Sequence, residues 1–148
     1  MMKQMQRVLA MLLTAVLLAG LLQYYEVLEG LQPGERVIQS VAAGRDCGAV
    51  LTGGGAVWYW TGTGAPQKVI SSGAKAIYAG HGDSYMLARM QDGSLQAWGA
   101  NSQGQLGTGS GTASSRPTQV LSMESGVVWA DAGTYTSIGV KEDGTVWV

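Results

Sequence analysis

The side chains able to do chemistry are few and scattered along the chain. His81 is its one histidine. A metal ligand or general base would need a second histidine, a cysteine or a carboxylate cluster at ligand spacing, and none accompanies it; His81 reads as a loop residue. Cys47 is the one cysteine, so no internal disulfide forms. Lying in a predicted strand, it reads as a buried, inert thiol. Asp92 and Asp143 each open an Asp-Gly pair, where aspartate serves the turn rather than proton transfer. Asp46, Asp83 and Asp131 lie in or near turns and match no calcium loop. Ser84, Ser114 and Ser137 lack both a G-x-S-x-G setting and a histidine partner. The run Gly107 to Thr112 has the composition of a phosphate cradle, but the helix and the Lys-Ser/Thr pair that a cradle needs do not follow it. It is expected to be a flexible surface loop. The expectation is therefore no catalytic residue, no cofactor site and no metal site.

The elements that hold these residues are written in glycine. The chain has 148 residues, 46% of them apolar, with 23 glycines and only three prolines. That is enough apolar material for one domain and enough turns for many short strands. Charged residues make up 13%, and the formal net charge is −1. A nucleic-acid surface needs a clustered basic patch, and no block of Lys and Arg occurs beyond the first few residues.

At the N-terminus, Lys3 and Arg7 precede an apolar run from Val8 to Leu22. A basic start before such a run is the layout of a secretory signal, and the run is shorter than the ~20 residues of a comfortable bilayer span. Ala19 and Gly20 are small, but Leu17 and Leu18 blur the cleavage site, so both a cleaved signal peptide and an uncleaved anchor fit residues 1–22. Either sends the rest of the chain out of the cytoplasm. Residues 23–35 read as a linker that ends in the turn signal Pro33-Gly34.

A repeat occupies residues 36–148, in units of about 36–74, 75–126 and a truncated 127–148. Ala43-Gly44 precedes Gly54-Gly55-Ala56-Val57-Trp58 at the same offset as Ala132-Gly133 precedes Asp143-Gly144-Thr145-Val146-Trp147. In the middle unit Gly82 precedes Asp92-Gly93-Ser94-Leu95 at that offset, and Trp98 matches Trp60. Asp-Gly or Gly-Gly between apolar runs signals a hairpin, here expected as a two-residue type I′ turn with positive φ at both positions. The paired strands are Cys47 to Leu51 with Ala56 to Trp60, Tyr85 to Arg89 with Leu95 to Trp98, and Ser137 to Lys141 with Thr145 to Val148. A further strand precedes each hairpin (Val37 to Val41, Lys75 to Tyr78, Val127 to Ala130), and a fourth follows Pro66 or Pro117 (Gln67 to Ile70, Thr118 to Leu121). Four strands in about 40 to 50 residues is the arithmetic of a propeller blade. Trp58, Trp60, Trp98, Trp129 and Trp147 fall at repeat-related or strand positions, which assigns them to blade-to-blade packing.

The middle unit carries a specific resemblance. Trp98-Gly99-Ala100-Asn101-Ser102-Gln103-Gly104-Gln105-Leu106-Gly107, then Pro117 and Val120, resembles the W-G-x-N-x-x-G-Q-L-G…P-x-x-V segment of the regulator-of-chromosome-condensation repeat. Asp143-Gly144-Thr145-Val146-Trp147 resembles the same family's D-G-x-V-W hairpin. Departures lie mostly in the first unit, where Thr61 replaces the second glycine of W-G and the N-x-x-G-Q-L-G stretch is missing; in the middle hairpin Gln96 stands for tryptophan. No Trp-Asp dipeptide supports a WD repeat. The resemblance implies a seven-bladed propeller in complete members. The expected class is thus all-β: a partial β-propeller of four-stranded antiparallel blades, preceded by an N-terminal apolar helix, and an N-terminal fragment of a longer protein.

The functional expectation is an exported, bacterial-type binding scaffold without catalysis of its own, secreted or held at the cell surface. Its partner is an unknown protein or a cell-surface polymer, with no nucleic acid and with membrane contact only through the N-terminal segment. Two alternatives come from the resemblance and from length: guanine-nucleotide exchange on a small GTPase, and the binding domain of a larger extracellular enzyme.

Overall fold

A computed structural model describes residues 37–148. The signal peptide or anchor expected over 1–22, its apolar helix and the linker over 23–35 lie outside the described residues. Among the described residues no helix occurs, and eleven strands form three antiparallel sheets. The first sheet runs in order β1 (Ile38–Ala43), β2 (Cys47–Thr52), β3 (Val57–Thr61) and β4 (Gln67–Ile70). The second repeats it with β5 (Ala74–Ala79), β6 (Tyr85–Met90), β7 (Leu95–Gly99) and β8 (Ser114–Gln119). The third holds β9 (Val127–Ala132), β10 (Ser137–Lys141) and β11 (Val146–Trp147).

Side chains alternate across a strand, and here both faces of the middle sheet are buried. Met86 and Ala88 of β6, with Trp98 of β7, meet Ala49, Leu51 and Val57 of the first sheet. The intervening Tyr85, Leu87, Leu95 and Ala97 meet Val127, Ala130 and Ala132 of the third. The core is therefore two seams between stacked sheets. β5 lies against β1 and β2, and β9 against β5 and β6, so the first strands of successive sheets converge as wedges do.

The hairpins differ from the expected type I′ turn. Only the second residue of each pair has positive φ: Gly55 at 78°, Gly93 at 79° and Gly144 at 82°. The Gly93 N–H donates to the Met90 carbonyl, and the Met90 N–H donates to the Ser94 carbonyl. That is a three-residue loop closed by a left-handed glycine. Aspartate serves the turn through its side chain. Asp92 Oδ1 accepts from the Ser94 N–H at 2.9 Å and the Ser94 hydroxyl at 2.7 Å; Asp143 does the same for Thr145.

These bonds favour the ionised carboxylate. The hydroxyl of Ser94 first, and then its amide, holds Asp92 below the usual carboxylate range. Thr145 does so for Asp143. A depressed folded-state pKa contributes stability that is present above the unfolded value of about 4 and is lost as pH falls through the folded value. The protein is expected to lose thermal stability below about pH 4, and the Asp92→Asn/Asp143→Asn variant to lose less. Melting curves from pH 7 to pH 2 check this; parallel losses in both proteins contradict it.

A second difference concerns β8. It begins at Ser114, and Pro117 lies within it rather than ahead of it. Among the described residues β8 pairs only with β7, and the register slips between Ala97↔Thr118 and Gly99↔Ser114. An irregular edge strand tolerates a residue without an N–H.

Candidate functional site

The connection between β7 and β8, Ala100 to Ala113, is the most elaborate loop of the described residues. Gly99 starts it with φ of 109°, and a Cβ there would fall against the Ser84 carbonyl and the Tyr85 Cα. In the first sheet the equivalent Thr61 ends β3, and the chain turns at Gly62, whose φ is 51°. The W-G glycine is thus needed only where the long loop departs.

Asn101, 1% exposed, organises that loop. Its Oδ1 accepts from the Leu106 N–H at 2.9 Å, and its Nδ2 donates to the carbonyls of Ser110 at 2.7 Å and Thr112 at 2.9 Å. The Gly107 to Thr112 run, expected to be flexible, is held from within. The loop drives Leu106 into the second seam, fully buried beside Tyr85 and Ala97. Gln105 joins it: its Nε2 donates to Asp83 Oδ2 at 3.0 Å, and its carbonyl accepts from the Ser137 hydroxyl at 2.6 Å. Tyr85 completes the joint, its hydroxyl 3.0 Å from the Gly133 carbonyl and 2.9 Å from that of Thr136. Burial pushes the phenol pKa of Tyr85 up, so it stays a donor at neutral pH.

Tyr85→Phe removes this donor from the seam, leaving the Gly133 carbonyl only the His81 backbone N–H and the Thr136 carbonyl only the Gly133 N–H. The expected cost is about 1–2 kcal/mol, read as a lower urea midpoint at unchanged slope. An unchanged midpoint contradicts the assigned role.

Between this loop and the third sheet lies a cleft of about 450 Å³, lined by Gln103, Gly104, Leu121, Tyr135 and Trp147 among others. Leu121 and Tyr135 are each 56% exposed, and Trp147 is 41% exposed. Lys141 Nζ lies 5.5 Å from the Trp147 ring centre.

The residues singled out in the sequence do not converge. Cys47 is buried in the first seam, with Met86 Sδ 3.9 Å away, and burial pushes its thiol up. His81 is exposed, and its N–H reaches the Gly133 carbonyl at 3.2 Å. Asp83 does more than shape a turn, because it holds Gln105. Asp46 faces Arg45 at the surface, and Asp131 Oδ1 accepts the Ala132 N–H. The Ser114 hydroxyl bonds the Arg116 carbonyl at 2.7 Å, that of Ser137 is engaged with Gln105, and Ser84 gives its N–H to Asp83. Among the described residues no group of three His, Cys, Asp or Glu could hold a metal. Of the tryptophans, Trp98 packs between sheets as expected; Trp129 is 50% exposed. Sequence reasoning missed Asn101 and Gln105 as organisers and the Leu121–Tyr135–Trp147 cleft. The N-x-x-G-Q-L motif was their only signal.

Stacked four-stranded antiparallel sheets, each feeding its last strand into the next sheet's first, define a β-propeller array. Residues 92–140 match the family model for the Regulator of chromosome condensation (RCC1) repeat. Solved structures show the same fold. Human WBSCR16 matches 76% of this chain at 20% identity with a TM-score of 0.64. Prp20p from Saccharomyces cerevisiae, in a structure concerned with its binding to Gsp1p and histones, matches 79% at 21% identity and 0.63. Yeast RCC1 (Prp20) bound to Kap60 matches 75% at 18% identity and 0.61. The chain spans about a third of those chains, at 33%, 31% and 31% of their lengths.

Proposed function

We propose that this chain is a protein-binding scaffold, exported from the cytoplasm and without catalysis of its own, that docks its partner at the cleft beside the Asn101 loop. The observation that carries the reading is the exposure of Leu121 and Tyr135 beside one concave site. Large apolar and aromatic side chains left in water around a cleft mark interaction surfaces, and Tyr and Trp are the residues that anchor them. The loop is pre-organised by Asn101, so little order has to be imposed on binding. Prp20p, the yeast RCC1, has a similar fold, and its two structures concern protein partners: Gsp1p and histones in one, Kap60 in the other. The Lys3–Leu22 segment supports the export reading.

The test uses a photo-crosslinking residue placed at position 121 in the exporting cell, with cross-linked species identified by mass spectrometry. One defined protein partner is expected, found outside the cytoplasm and lost when Tyr135→Ala is added. Cross-linking unchanged by Tyr135→Ala, or confined to cytoplasmic proteins, overturns the reading. Guanine-nucleotide release from a small GTPase is expected to be unaffected by the purified chain.

A further inference from the structure

The two seams are built on equivalent positions but closed in different ways. Counted from the hairpin glycines Gly55 and Gly93, Tyr59 and Ala97 correspond, and they pair with Ala49 and Leu87 respectively. In the second seam Ala97 is small, and Leu106 from the long loop packs beside it. In the first sheet β3 and β4 are joined only by Gly62 to Pro66, so no such side chain arrives. Tyr59 stands there instead, edge-on to Trp98 with ring centres 5.8 Å apart. Outside Tyr59 the first seam stays open as a cleft of about 660 Å³, within the size range of small-molecule sites.

The lining states what this cleft accepts. Tyr59 and Gln67 come from the first sheet, and Ser84, Gly99 and Ser115 from the second; among the described residues no lysine, arginine, histidine or carboxylate lines it. A charged ligand would shed water there without gaining a counter-ion. A wholly apolar ligand would strip water from the hydroxyl and amide groups and give nothing back. An extended peptide would need a free sheet edge. Both outer strands beside the cleft are poor templates: β4 is only four residues long, and at β8 the Ser114 and Thr118 hydroxyls both hold the Arg116 carbonyl and Pro117 has no N–H. A ligand with an apolar face and many uncharged hydroxyls satisfies every wall. We propose that the cleft between the first two sheets binds a neutral oligosaccharide, with the ring of Tyr59 against a sugar face and Gln67, Ser84 and Ser115 on its hydroxyls. This site is separate from the protein-docking cleft and does not depend on it.

The test titrates maltohexaose, cellohexaose and N-acetylchitohexaose, each separately, into isotope-labelled protein followed by amide chemical shifts. At least one hexasaccharide is expected to give saturable shifts at Gly99, Ala100 and Ser115. Gln67 is exposed on a short edge strand, so Gln67→Ala preserves the fold; it is expected to weaken that affinity about tenfold, as the loss of one good hydrogen bond does. Ser115→Asp, which places a charge in the cleft, is expected to weaken it at least as much. No saturable shift with any of the three sugars overturns the proposal. So do shifts confined to other surfaces, affinity indifferent to both variants, and saturation of the cleft by an uncharged Gly-Ser-Thr decapeptide instead.

Discussion

Trp98→Ala lowers the unfolding free energy by about 4 kcal/mol, the upper range for truncating a large buried aromatic. Trp98 is fully buried in the first seam and meets Tyr59 edge-on. The cavity opens between two sheets rather than inside one, so the loss extends to their docking. For a domain whose whole stability is about 5–15 kcal/mol, the chain is left close to unfolding at physiological temperature. Equilibrium urea denaturation measures the loss. A cost below about 1 kcal/mol, the range of a surface site, shows that the seam does not hold the sheets together.

Asn101→Asp costs a similar amount by another route. The substitution keeps shape and keeps the acceptor for Leu106, but it replaces the Nδ2 donor with an oxygen. That oxygen faces the Ser110 and Thr112 carbonyls, which are 2.7 and 2.9 Å from Nδ2. Two acceptors lose their donor, and a buried carboxylate sits against them. The expected destabilisation is about 3–4 kcal/mol near neutral pH. It is partly relieved in acid, because a protonated carboxyl again offers a donor. Denaturation of Asn101→Asp at pH 7 and pH 4 checks both parts. Equal loss at the two pH values contradicts the assignment of Nδ2 to the carbonyls.

The strands were legible because glycine punctuates them. Positions such as Gly55, Gly93 and Gly144 recur at one offset, and the apolar runs between them are too short for anything but strands. The departure at Thr61 left the geometry of the first unit open, and only the structure shows why it is tolerated: Gly62 to Pro66 lead straight into β4, and no long loop departs there. The form of the hairpin was less legible. Asp-Gly fits both a two-residue and a three-residue loop, and the difference lies in whether φ turns positive at Asp92 as well as at Gly93. The extent of β8 was hidden by Pro117, which reads as a strand start but is tolerated inside an irregular edge. Asn101 stood in a quoted motif without its task being visible. Its partners are backbone carbonyls at Ser110 and Thr112, and a carbonyl leaves no mark on sequence. The clefts were least legible of all. Each is made by two sheets, and the exchange of Ala97 with Leu106 for Tyr59 alone becomes meaningful only once the seams are superimposed.

The account rests on the sheets being stacked through those seams, and nuclear Overhauser contacts across them test it most directly. Cross-peaks are expected between the ring protons of Tyr59 and Trp98, which join the first two sheets, and between the Tyr85 ring and Thr136, which join the second and third. A spectrum with the cross-strand contacts of each hairpin in place but neither of these pairs would show sheets strung along a chain without a common core, and would contradict the architecture from which every function proposed for it derives.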